Sequence, residues 1–354
     1  LRGLRHKRRP ATLRALPQNG CLMPSGGDGR TLGWPMVALR MGLLALALVA
    51  VVMLSSVSQG EAFEFRNLMP VLLVQPLNMA ALALIGWRLS VLSGGKVGVW
   101  RGIKASALSN TLLYVTPGRS SELIKPVYLA ANSGLGLLQG LAVVAVERFL
   151  DILIVTLAGS AALVMMAGWT STGALWLWGG VSALGLCGCA VLLRRPDLIG
   201  RVIAHLPGRK LRSAATTLAD EMRSIVALRI MAVGMLIGLA AWLASFALVF
   251  ATLRLSASVP LDPAAIFLVF LAGTIGLAVS VAPGGLGTFE AGVVFALTYH
   301  GVGTLEALNL ALLMRLVNVG VMPLVALWAA SADRLGLGEL IQAARNLQSE
   351  RAPP

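Results

Sequence analysis

Apolar runs of bilayer length recur along the chain, at 36–57, 68–89, 138–166, 174–193, 230–253 and 305–331. Each approaches or exceeds the ~20 residues that a helix needs to cross a hydrocarbon core. Backbone groups in hydrocarbon find no water, so such segments are read as helices with all their hydrogen bonds made internally. Two further apolar stretches, 105–131 and 263–300, are interrupted, the first at Thr116-Pro117-Gly118 and the second by Ala282-Pro283-Gly284-Gly285-Leu286-Gly287-Thr288-Phe289-Glu290. The expected fold is an all-α integral membrane protein with about six full transmembrane helices and two re-entrant helical hairpins. Composition agrees: 12% of residues are charged, against about 25% in an ordinary soluble domain.

Proline and glycine break helices, and an unpaired acidic side chain costs roughly 2.5–3.5 kcal/mol at the centre of a bilayer. A broken backbone at membrane depth is tolerated only where protein or a water-filled cavity surrounds it. The two interruptions therefore mark candidate working sites.

The net charge of +14 does not call for a nucleic acid, because the basic residues fall where topology requires them. Arg2, Arg5, Lys7, Arg8, Arg9, Arg14 and Arg30 lie in the tail 1–35, and eight further bases lie in the loop 194–229. The loops 58–67, 167–173 and 254–262 hold only Arg66 and Arg254 as bases. By the positive-inside rule both basic segments and the C-terminus are cytoplasmic. The expected organisation is a disordered basic tail over 1–35, a transmembrane domain over 36–331 and a short cytoplasmic tail over 332–354. Cys187-Gly188-Cys189 sits in an apolar helix without histidine or carboxylate company, so neither a metal nor another cofactor is expected.

The two halves resemble each other. Pro117-Gly118 is followed by a small-residue turn and Glu122, and Pro283-Gly284 by a similar turn and Glu290. Arg148 with Asp151 follows Pro117 by 31 residues, and Arg315 with Asn318 follows Pro283 by 32. Threading the charge rule through the runs gives half-repeats of about 36–166 and 174–331 with opposite orientations. Inverted repeats with broken helices are the architecture of many secondary transporters.

Glu147, Arg148, Asp151, Glu290 and Arg315 are ionisable groups at membrane depth. They must pair with one another, lose charge or face water. They either lock the bundle as an ion-pair network or line a polar path for a charged head group. Ser120 or Ser121 is positioned to cap a helix after the first break, and Thr288 after the second. Helix N-termini attract anions, and Arg119 and Lys125 flank the first one. Gly284, Gly285 and Gly287 would let a chain or ligand approach closely, or only allow the tip to pack tightly. Residues 197–225 read as an amphipathic interfacial helix.

At Pro117-Gly118 with Glu122, Glu147-Arg148-x-x-Asp151, Pro283-Gly284-Gly285-Leu286-Gly287-x-x-Glu290 and Arg315, the chain resembles the transmembrane region of lysylphosphatidylglycerol synthases, the flippase-like family. Such proteins often carry Gly-Glu and then arginine after the first Pro-Gly, where Ser121-Glu122 and Lys125 stand here. The resemblance implies a bacterial inner-membrane domain that moves lipids between leaflets. In full-length synthases it is fused to a soluble aminoacyl-transferase domain. Only about 23 residues follow the last apolar run, so the chain is not expected to make lysyl-lipid by itself.

The leading expectation is a lipid translocase, with Glu122, Glu147, Arg148, Asp151, Glu290 and Arg315 lining one polar groove for an anionic or aminoacylated head group. Arg148 and Arg315 would exchange carboxylate partners for phosphate. The alternatives are an accessory protein that scaffolds a lipid- or glycan-modifying enzyme, and a membrane enzyme using Glu147, Asp151 and Glu290 as acid–base groups.

Overall fold

The computed structural model describes residues 69–114, 121–167, 209–225, 227–279 and 282–333, with isolated helical positions at 180, 183 and 188. The expected helix 36–57, most of 174–193, the loop residues 194–208, the first tip with Pro117, Gly118 and Arg119, and both tails lie outside the described residues.

All the secondary structure described is helical: α1 (Met69–Leu73), α2 (Gln75–Leu92), α3 (Val99–Leu113), α4 (Ser121–Asn132), α5 (Leu137–Ala167), α6 (Arg209–Ile225), α7 (Leu228–Ser256), α8 (Pro263–Val279), α9 (Thr288–Tyr299), α10 (Thr304–Val319) and α11 (Met322–Ala332). Among the described residues three stretches are long and apolar enough to cross a membrane: Val71–Leu92, Leu228–Ser256 and Thr304–Ala332. The helix α5 has 31 residues, about 46 Å at 1.5 Å each. It carries all three ionisable groups of the Glu147 segment.

Each interrupted stretch forms a pair of short helices. α3 packs on α4, and α8 packs on α9. With 12 residues apiece, α4 and α9 reach only about 18 Å, short of the ~30 Å hydrocarbon core. Their close packing rests on glycine. A Cβ on Gly292 of α9 would stand 2.5 Å from the Ala272 carbonyl oxygen of α8, and one on Gly140 of α5 would stand 2.9 Å from that of Pro126 in α4. The start of α8 is fixed by Asp262, whose carboxylate accepts from the Ala265 amide at 2.6 Å, satisfying one of the donors a helix start leaves open.

The helices α2 and α7 pack along each other. Gly238 of α7 leaves the space that the Arg88 side chain of α2 fills. Two cores flank this pair. Val269, Phe289, Val293 and Leu297 of the α8–α9 hairpin join Leu310 and Met314 of α10. Ala105, Leu108 and Tyr128 of the α3–α4 hairpin join Ala326, Ala329 and Ala330 of α11.

Of the stretch 197–225, expected as an amphipathic interfacial helix, only the part from Arg209 that forms α6 is among the described residues. Leu218, Met222 and Ile225 pack on Val143, Val146 and Leu150 of α5, and Gln139 donates to Glu221 at 3.0 Å.

The run 305–331 was expected as one helix and is two. Gly320 takes φ 33°, outside the helical region, and Pro323 has no amide to give the Val319 carbonyl. The freed groups find partners on α2. Gln75 Nε2 and Asn78 Nδ2 donate to the Val317 carbonyl at 3.3 and 3.2 Å, and the Val321 amide donates to Gln75 Oε1 at 3.2 Å.

Candidate functional site

The second tip is built by its glycines. Gly284 and Gly285 adopt φ of 61° and 68°, a left-handed region that costs a side-chain-bearing residue about 1–2 kcal/mol. That backbone turns two carbonyls onto one guanidinium: Arg315 Nη1 donates to Gly284 O at 2.6 Å and Nη2 to Gly285 O at 3.0 Å. Arg315 Nε and Nη2 also reach the Glu290 carboxylate, the latter at 2.9 Å. Four of the five guanidinium N–H groups are thus used, and the Phe289 ring lies 4.8 Å from the guanidinium carbon. Arg315 is 2% exposed. It closes the tip as a clasp.

Several expectations at this tip need correction. Thr288 does not cap α9: Gly287 occupies the cap position with φ 86°, and the Thr288 hydroxyl donates back to Gly285 O. The helix start is not free to take an anion through Gly287, because Glu290 Oε2 accepts from the Gly287 amide at 2.9 Å. The Asn318 side-chain amide donates to Met314 O at 2.8 Å. Pro283 opens the single 3-10 turn Pro283–Gly285 that shapes the tip.

The first network lies just beyond the first tip. Glu147 is fully enclosed and accepts from Lys125 Nζ at 3.0 and 3.2 Å and from Arg88 Nη2 at 3.0 Å. Arg88 Nη1 donates to Asp151 Oδ1 at 2.8 Å, which also accepts from Trp242 Nε1 at 3.1 Å. Lys125, expected to flank an anion site, is therefore committed to Glu147. Arg148 differs from both other cations: its side chain is 40% exposed and bonds Asp151 Oδ2 at 3.3 Å, while its Nε is buried with no partner. Glu122, one turn earlier in α4, acts on Arg148 electrostatically. Ser121 opens α4 with a buried, unpartnered hydroxyl.

Arg88 is the residue that sequence reasoning missed. It is the second-last residue of the apolar run 68–89, which also holds Gln75 and Asn78, and an arginine within such a run is itself a signal. It was passed over because its carboxylate partners lie 59 and 63 residues away.

Tyr114, the last described residue of the first hairpin's leading arm, sits against Gly284 of the second tip, so that a Cβ there would collide with the ring. The same ring centroid is 6.0 Å from the Arg315 guanidinium carbon. Among the described residues the ionisable groups expected to line one groove form two bonded networks, one around Glu147 and one around Arg315.

Comparison with curated proteins and with solved structures gave no match. A family model described as the lysylphosphatidylglycerol synthase TM region matches residues 37–326, most of the chain, and the protein belongs to that family.

Proposed function

We propose that this protein moves a polar lipid between the leaflets of the bacterial inner membrane. In this reading the α3–α4 and α8–α9 hairpins are re-entrant, enter from opposite faces, and bring their tips together within the bilayer. N- and C-termini are cytoplasmic. The observation that carries the reading is the meeting of Tyr114 of the first hairpin with Gly284 beside the buried Arg315–Glu290 pair, since ionisable groups at membrane depth are by default candidate substrate sites.

In this reading Arg148 and Arg315 do different jobs. Arg315 is saturated and holds the second tip together. Arg148, partly exposed and held by one long bond, is the cation with donors to give a phosphate. Guanidinium groups suit phosphate because two parallel N–H groups match two oxygens. The acyl chains would stay in lipid while the head group passes the tips.

The test is a leaflet-accessibility assay in proteoliposomes with labelled anionic, zwitterionic and aminoacylated phospholipids. Wild type should move at least one class, and Arg148→Ala should slow it at least tenfold without loss of fold. A folded wild type that moves none of them overturns the proposal. That outcome would favour the accessory reading, which the saturation of Arg315 and of Glu147 supports: networks so fully bonded can serve simply to lock a scaffold.

A further inference from the structure

The end of the bundle where α2 passes into α3 carries a cluster that takes no part in the Glu147 and Arg315 networks. Val99-Trp100-Arg101 opens α3, and α11 packs on that helix. The Trp100 and Trp328 rings meet edge-on, their centroids 5.2 Å apart. Both stay open to the surroundings, 57% and 44% exposed. A buried pair of indoles would be packing, but an exposed pair keeps apolar ring faces and N–H donors for something outside the protein. Neither indole N–H has a partner among the described residues.

The charges beside the rings divide into engaged and free. Lys104 Nζ lies 4.8 Å from the Trp328 ring centroid and donates to Asp333 at 2.7 Å. Asp333 also accepts from the Tyr128 hydroxyl, so both of its oxygens are occupied. Arg101 is exposed, and its charge reaches Asp333 and Tyr128 through space. Among the described residues it has no bonded partner. Lys104 and Asp333 cancel, and Arg101 is left as the uncompensated charge of the cluster.

The depth of the rings identifies their neighbour. The apolar span Thr304–Ala332 ends four residues after Trp328, about 6 Å along the helix. The polar layer on each side of the hydrocarbon core is itself about 5–7 Å deep. Indoles at that level lie where acyl chains meet head groups, and what lies against them there is lipid.

We propose that Arg101, Trp100 and Trp328 form a binding site for the head group of an anionic phospholipid, which stays bound there and fastens the base of the first hairpin to α11. The guanidinium offers paired N–H groups to the phosphate, the indole N–H groups add donors, and the rings lie against the first acyl carbons. A zwitterionic lipid brings its own cation close to the phosphate and gains less from an uncompensated arginine. The proposal depends neither on what the protein moves nor on which leaflet this end faces.

The test is quenching of tryptophan emission in phosphatidylcholine vesicles that contain a small fraction of dibrominated phosphatidylglycerol or, separately, dibrominated phosphatidylcholine. Wild type and Arg101→Gln are each compared with their Trp100→Phe, Trp328→Phe forms, and the difference isolates the emission of the pair. All the substituted side chains are exposed, so the fold does not rest on them. The expected result is a preference of about fivefold for phosphatidylglycerol in wild type, the order that one basic side chain gives at an anionic surface, and its loss in Arg101→Gln. Lys96→Gln, which removes an exposed base from the same end, should keep the preference. Equal quenching by the two lipids in wild type overturns the site, and so does a preference that survives Arg101→Gln. An equal loss in Lys96→Gln and Arg101→Gln also overturns it, because that is the mark of diffuse attraction to a charged surface.

Discussion

Replacing Arg88 by methionine should destabilise the protein by about 3 kcal/mol. Arg88 makes two charge-assisted bonds, 3.0 Å to Glu147 and 2.8 Å to Asp151, each worth about 1.5–3 kcal/mol net. Methionine keeps most of the apolar stem, so packing loss is small. Two offsets reduce the sum. Arg88 Nε is already buried without a partner, and Glu147 and Asp151 keep Lys125, Arg148 and Trp242 as partners. Glu147→Gln should cost more, about 4 kcal/mol, because it leaves Arg88 and Lys125 facing an uncharged amide, and uncompensated buried charge costs ~3–5 kcal/mol. The double variant should fall short of the sum by at least about 1 kcal/mol, the coupling expected of directly bonded groups. Reversible unfolding in mixed micelles measures all three. Arg88→Met within 1 kcal/mol of wild type, or strict additivity, would refute the assignment of Arg88 to this network.

Gly238→Val should reproduce much of the Arg88→Met loss without touching a charge, since a Cβ at Gly238 would lie 2.6 Å from Arg88 Nη1; the same unfolding assay checks it. Gly284→Ala should cost at least about 1 kcal/mol through its positive φ alone, with more from the Tyr114 ring it would press, read as a lowered midpoint of thermal unfolding. Burial pushes the Asp333 carboxyl up, but the bonds from Lys104 and Tyr128 outweigh it and hold the group below its usual value. A carboxylate with a depressed folded value contributes stability above its unfolded pKa of about 3.9, lost as pH falls through the folded value. Wild type should therefore lose stability relative to Asp333→Asn as pH drops from 5 to below about 4, and parallel curves for the two would remove Asp333 from the account.

The helical runs were legible because hydropathy acts over 20 or more residues, and the expected 138–166 and 230–253 end within three residues of Leu137–Ala167 and Leu228–Ser256. The glycine tip was legible because Gly-Gly-x-Gly before glutamate has few structural uses in hydrocarbon. What sequence did not show is who bonds whom. Arg148 and Asp151 pair as their i,i+3 spacing predicts, but no spacing pointed to Glu290, on another helix, as the partner of Arg315. Arg88 and the break at Gly320 went unseen for a related reason. One arginine or one Gly-x-x-Pro inside a long apolar run barely alters its average, while the groups that justify them, Glu147 and Gln75, lie on other helices.

The bond from the Trp242 indole to Asp151 places a chromophore on the one carboxylate that Arg88 and Arg148 share. Indole emission responds to the charge beside it, so this protein carries an optical reporter at the very point where an incoming anion would compete. With the other seven tryptophans replaced by phenylalanine, the colour of Trp242 fluorescence would follow occupancy of Arg148 in real time, without a label on either protein or lipid.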